Sequence, residues 1–198
     1  MKIKILDIKK ENIASCYLVK ANLKEYLESL PEDYQDWDIQ RGIVTNRYLD
    51  SILDTVVNNK HIPPIVLVAD EVPDTNQQEL NVKEFRILDG LQRTYRLKTI
   101  YNSNKLINDL FKEGVLQGLS PISVTRKFKE RIFETNSSTT IVRKLLNIYG
   151  NHIISNDELF SDEQWFEVWF NLDKNEQIRK CCYLMLDIKV LVISIRSK

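Results

Sequence analysis

Ile62-Pro63-Pro64-Ile65-Val66-Leu67-Val68-Ala69 and, further along, Ile87-Leu88-Asp89-Gly90-Leu91-Gln92-Arg93-Thr94-Tyr95-Arg96 are the stretches on which the fold turns. Pro63 and Pro64 forbid a helix from continuing, and the aliphatic run Ile65 to Ala69 is the signature of a buried strand. Leu80 to Leu88 alternates enough to be the next strand, closed by Asp89 and Gly90, and Leu91 to Asn102 resumes helical spacing. A strand, a glycine turn and a helix start in so few residues expose first-turn N–H groups together with the positive end of a helix dipole, which suits an anion. Arg93 lies in that first turn, where a guanidinium can clamp a phosphate with paired hydrogen bonds, and Arg96 follows it on the helix. Asp89 alone would repel a phosphate, so beside one it would hold Mg²⁺, a water or a ribose hydroxyl. The same letters also fit a helix start without any ligand. Asp89 as N-cap with Gln92 at the third helical position is a capping-box arrangement, a stabilisation of roughly 1 kcal/mol.

Working outward, Ile13 to Lys20 reads as a short strand and Asn22 to Leu30 as a short helix that Pro31 ends. A polar, acidic connection, Pro31 to Asp38, leads through Gln40-Arg41 to a helix over Tyr48 to Asn59, where Leu49, Ile52, Leu53, Val56 and Val57 are helically spaced. Glu71 to Gln78, rich in Pro, Asp, Asn and Gln, is expected as a surface loop. Further helix is expected around Leu106–Lys112, Val124–Glu134, Ile141–Tyr149 and Glu163–Phe170. The expected order is therefore a mixed β/α front half and a mostly helical back half, with no repeat of fixed period.

Composition bounds the class. The 198 residues hold 28 Lys+Arg against 28 Asp+Glu, 43% apolar residues and 9% aromatics. That fits a globular domain, or a domain with a short appendage, and argues against disorder. Five Gly and five Pro exclude collagen-like and linker-like chains. No run of about 18 uncharged apolar residues is present; the most apolar window, Cys181 to Ile195, is interrupted by Asp187 and Lys189. Met1 to Lys10 lacks the apolar core of a secretory signal, so a cytoplasmic protein without membrane partners is expected. Three cysteines with no C-x-x-C spacing read as reduced structural thiols, and His61 and His152 have no metal-ligand spacing. Arg126, Lys127, Lys129 and Arg131 form a basic cluster with Val124, Phe128 and Ile132 as the apolar stripe of the same expected helix, a candidate nucleic-acid surface. There is no phosphate loop of the G-x-x-x-x-G-K-[ST] type, no G-x-S-x-G elbow, no H-E-x-x-H and no Rossmann fingerprint.

In this order, Ile39-Gln40-Arg41, the Ile62-Pro63-Pro64-Ile65-Val66-Leu67 strand and the Asp89-Gly90-Leu91-Gln92-Arg93 turn resemble the ParB/sulfiredoxin-like superfamily. The branch is the one with DGQQR or DGQHR motifs, which includes the amino-terminal domain of GmrSD-type restriction enzymes and DndB-like regulators of DNA phosphorothioation. The likeness covers about Ser15 to Asn104, and Leu91 stands where Gln is common in the family. The resemblance implies an α+β fold, a mixed sheet with helices followed by a mostly helical segment. It also implies binding of a nucleoside triphosphate, with hydrolysis and Mg²⁺, in a bacterial or phage DNA restriction or defence setting. Asp89, Gln92 and Arg93 would be catalytic, with Asp89 the metal ligand. Gln40, Arg41, Gly90 and Arg96 would complete the nucleotide pocket. Partners implied are DNA, a nuclease domain or subunit, and a second copy of the chain. No cysteine lies near the Asp89 turn in sequence, which speaks against thiol chemistry of the sulfiredoxin kind. Two alternatives stand beside the NTPase: a non-enzymatic DndB-like DNA-binding regulator using Arg126 to Arg131, and a truncated inactive remnant.

After Lys180 the sequence changes character, with Cys181-Cys182 adjacent. Read two nucleotides later with A/T-rich codons, the tail yields a Met-Leu-x-x-Asn-Ala-Gly stretch similar to the same branch, so a frame-shifted tail is expected. The expected organisation is a nucleotide-site domain at 1–118, a helical extension at 119–180 and the frame-shifted tail at 181–198.

Overall fold

The computed structural model describes residues 1–35, 51–70, 79–150 and 152–182. Gln40 and Arg41, the loop Glu71–Gln78 and the tail from residue 183 onward lie outside the described residues. The chain opens with a hairpin of β1 (Lys2–Glu11) and β2 (Ala14–Asn22), followed by α1 (Leu23–Glu28) and α2 (Ile52–Val57). Next come β3 (Ile65–Ala69), β4 (Glu79–Asn81), β5 (Arg86–Asp89) and the long α3 (Leu91–Lys112). Four shorter helices follow, α4 (Pro121–Lys127), α5 (Lys129–Glu134), α6 (Thr139–Tyr149) and α7 (Asn156–Leu159), then β6 (Glu163–Phe170). Residues 174–182 form a last helix, α8.

The fold is α+β, built on a six-stranded mixed sheet in the order β4-β1-β2-β6-β3-β5. β3 runs parallel to β6, and the other pairings are antiparallel. All five residues of β3 are buried, as expected for a strand covered on both faces. On one face Tyr17, Val19, Phe166, Val168, Ile65 and Leu67 join Leu97, Ile107 and Leu110 of α3 and Leu145 of α6 in the main core. On the other, Ala14, Val66, Val68, Leu88 and Trp169 are covered by Leu172 and Cys181. Cys181, the first residue of the expected frame-shifted tail, is thus only 2% exposed. Burial beside Glu167 pushes the Cys16 thiol up to about 12, so it stays protonated at neutral pH, as a structural thiol should.

Several elements depart from expectation. Glu163–Phe170 is a strand and not a helix: its aromatic and β-branched residues pair in register with Ser15–Asn22 on one side and Ile65–Ala69 on the other. Residues 119–180 therefore supply a central strand to the sheet they were expected to follow. The strand expected over Leu80–Leu88 is two strands separated at Val82–Phe85, and they pair at opposite edges, β4 with β1 and β5 with β3. The stretch Lys2–Glu11, to which no element was assigned from the sequence, is a strand. The two helices expected at Leu91–Asn102 and Leu106–Lys112 are one helix of 22 residues. Val124–Glu134 is interrupted at Phe128, whose φ of −107° and ψ of 28° leave the helical region, so the basic cluster is divided between α4 and α5. No helix among the described residues is long and apolar enough to cross a membrane.

Candidate anion site at the strand–helix junction

β5 ends at Asp89, α3 begins at Leu91, and Gly90 joins them with φ of +96°. A Cβ at this position would lie 3.1 Å from both Arg93 Nη2 and Ile65 Cγ1, so the residue must be glycine for space as well as for conformation. This overturns the capping box. The N-cap is Gly90, with no side-chain cap bond, because the left-handed turn carries Asp89 back into the sheet opposite Val66. The Asp89 carboxylate instead accepts from Arg93, with Oδ2 at 2.7 Å from Nη2. The same nitrogen donates to the Pro64 carbonyl at 3.2 Å. Arg93 thereby ties the Pro-Pro entrance of β3 to the exit of β5, and the two motifs singled out in the sequence form one unit.

The junction is half-buried: the Arg93 and Asp89 side chains are 23% and 33% exposed. Arg93 Nε is buried without a hydrogen-bond partner. An unpaired buried donor costs on the order of 1–3 kcal/mol, and an acceptor reaching it would recover that. Behind the junction, Tyr26 Oη and Thr94 Oγ1 share a buried hydrogen bond of 2.7 Å that fixes the first turn of α3 against α1. Burial pushes the Tyr26 phenol well above its ordinary range, so it remains a neutral structural group. Gln92 occupies the first turn, half-buried.

Asp89 is the single carboxylate at the junction that the sequence nominates for a metal, and no group of three or more His, Cys, Asp or Glu converges among the described residues. That is too few ligands for a protein-built metal cage, but Mg²⁺ carried by a nucleotide commonly takes one or two protein carboxylates and completes its shell with phosphates and water. Asp89 fits that smaller role.

The other nominated residues divide. Arg96 lies one turn beyond Arg93 and lines a separate cavity with Leu53, Ile100, Ser138, Thr140, Ile141 and Lys144. Arg131 is engaged by Glu113 through two bonds of 2.7 and 2.8 Å, while Lys127 sits 5.3 Å from the Phe128 ring centre. Arg126 and Lys129 are exposed. The structure thus brings together Asp89, Gly90 and Arg93, places Arg96 near residues sequence reasoning did not select, and separates both from the basic cluster. The overlooked group, Ser138, Thr140 and Lys144, had one sequence signal: a Ser137-Ser138-Thr139-Thr140 run opening an amphipathic helix without acidic residues. Comparison of the chain with protein-family models, with curated proteins and with solved structures finds no match.

Proposed function

We propose that this chain is a nucleoside triphosphate-binding and hydrolysing domain of ParB/sulfiredoxin-like type, serving a DNA restriction or defence system. The observation that carries the reading is the Arg93 Nε donor, buried and unpartnered beside a glycine turn at a helix start. A phosphate oxygen is the acceptor such a fork accommodates best, because a guanidinium presents parallel donors to it. Arg93 would exchange part of its bond to Asp89 for the phosphate and stabilise charge on the transferring phosphoryl group. Asp89 and Gln92 would orient the attacking water, with Gln40 and Arg41 contributing from the segment outside the described residues. Mg²⁺, when bound through Asp89, supplies charge neutralisation on the phosphates.

The test is the thermal shift of the full chain with each of the four nucleoside triphosphates, with and without Mg²⁺. Saturation at about 100 times Kd is worth ~2.7 kcal/mol, a rise of roughly 5–10 °C for a domain of this size. Arg93→Lys keeps the cation but loses the fork, so its shift should shrink. Absence of a shift for every nucleotide would sink the reading.

A second reading, a DNA-binding regulator, has its own support. The sequence between Gly114 and Asn156 contains the basic residues Arg126, Lys127, Lys129, Arg131, Arg143 and Lys144 and the acidic residues Glu130 and Glu134, in a chain that is neutral as a whole. Salt-sensitive DNA binding lost on reversing Arg126 and Lys129, without any nucleotide effect, would favour it.

A further inference from the structure

Where the carboxyl-terminal end of α3 meets α4 and α6, a groove of about 650 Å³ opens on the surface. Leu116, Leu119, Pro121, Val124, Leu146 and Ile153 give it apolar walls, and the amides of Gln117 and Asn147 are the polar side chains among its described residues. Phe111 lines the groove while 55% exposed, and Ile122 on α4 and Ile148 on α6 are 52% and 46% exposed. Large apolar side chains left in water around a concave apolar surface mark a docking site. The backbone here is already paired within the chain: the Gly114 N–H donates to Phe111, that of Leu119 to Leu116 and that of Gly150 to Leu146, at 2.9, 3.2 and 3.2 Å. An incoming segment must therefore satisfy its own backbone, which a helix does and an extended strand does not. Charge narrows the choice. Arg143 Nε donates to Thr125 Oγ1 at 2.9 Å and joins the walls, and beyond that bond α4 ends in the exposed Arg126 and Lys127. Glu113, beside Gly114, is held by two bonds from Arg131, which keep its carboxyl below the usual range. A second copy of the chain would bring the same cations to the same face and be repelled.

We infer that the groove docks an amphipathic helix of a partner protein, with apolar anchors seated against Phe111, Val124 and Leu146 and carboxylates turned to Arg126 and Lys127. Apolar residues one turn apart on such a helix fill the groove, and acidic residues beside them meet the cations at the end of α4. Duplex DNA would satisfy those cations but leave the apolar walls uncovered. Nothing at the Asp89 junction enters this surface, and the nucleotide reading stands or falls apart from it.

Fluorescence anisotropy of the full chain with a labelled model peptide tests it: a helix of about five turns with Leu on one face and Glu elsewhere. The peptide should bind the wild type, and a permuted peptide of the same composition, with its Leu spread round the helix, should not. Phe111→Asp and Asn147→Glu, both at exposed positions of the groove, should each weaken binding by about tenfold or more. Reversing Arg126 and Lys127 together to Glu should weaken it by about fivefold at low salt and by less at high salt. Lys83→Glu, exposed between β4 and β5, should leave affinity unchanged. A peptide-free melt matching wild type shows that each variant is folded, and Asn147→Glu decides the matter where Phe111→Asp melts lower. Absence of peptide binding, or binding untouched by both groove substitutions, would overturn the inference. Equal binding of a peptide with Lys in place of Glu would overturn the acidic character of the partner. Concentration-dependent dimerisation in sedimentation, lost in Asn147→Glu and with no peptide bound, would give the groove to a second copy instead. Duplex DNA bound where the peptide is not, through Arg126 and Lys127 but without need of Phe111, would overturn it in favour of a nucleic-acid face.

Discussion

At the scale of single residues, Gly90 decides the site. Its φ of +96° and the two contacts at 3.1 Å mean that Gly90→Ala must either strain the turn or push Arg93 and Ile65 apart. The expected cost is about 1–3 kcal/mol in urea unfolding, together with a smaller nucleotide-dependent thermal shift than wild type. A variant as stable as wild type would show that the turn relaxes freely. The glycine was legible in the sequence because Asp-Gly between a strand and a helix has few other uses. Its neighbour was misread: Asp89-x-x-Gln92 has the letters of a capping box, and only the left-handed turn reveals that Asp89 belongs to the strand and pairs with Arg93. The orphan Nε of Arg93 was invisible in the sequence, since it depends on packing around an atom and not on residue type.

Among elements, α3 is the frame on which the rest is mounted. Asn104, wholly buried on it, donates to the Ile154 carbonyl at 3.2 Å and to Asn156 Oδ1 at 2.6 Å, and accepts from Tyr149 Oη at 2.7 Å. Asn104→Ala leaves the Tyr149 hydroxyl and a carbonyl without this partner, and should destabilise the protein by about 1–3 kcal/mol in denaturant titration. Where periodicity was unambiguous, as in the all-aliphatic β3, the sequence reading held. β6 defeated it because Trp165, Phe166, Val168, Trp169 and Phe170 satisfy helical spacing as readily as strand spacing, and aromatic enrichment was the discriminating cue. β1 was not assigned although Met1 to Lys10 alternates Lys with Ile and Leu, a pattern that was read only as evidence against a secretory signal. The break at Phe128 is a backbone feature that no apolar stripe announces.

For the whole molecule, the boundary expected at residue 118 runs across a single sheet. β6 pairs with β2 along Ser15–Asn22 and with β3 along Ile65–Ala69, and the main core draws on both sides of that boundary. A fragment ending at residue 118 should therefore lack a cooperative melting transition by circular dichroism, whereas residues 1–182 should melt in one. A folded, cooperative short fragment would contradict the shared core. The expected boundary divided a front half read as mixed β/α from a back half read as mostly helical, while the return of the chain to the sheet is a long-range event that no local pattern encodes. The same arrangement has a kinetic side. During synthesis β2 and β3 leave the ribosome long before β6, so two strand edges of the unfinished sheet stay unpaired until residue 170 has emerged. Such edges template pairing with other chains. Slow translation or a high concentration of nascent chains should thus hurt the yield of soluble protein more than the stability of the finished fold would suggest.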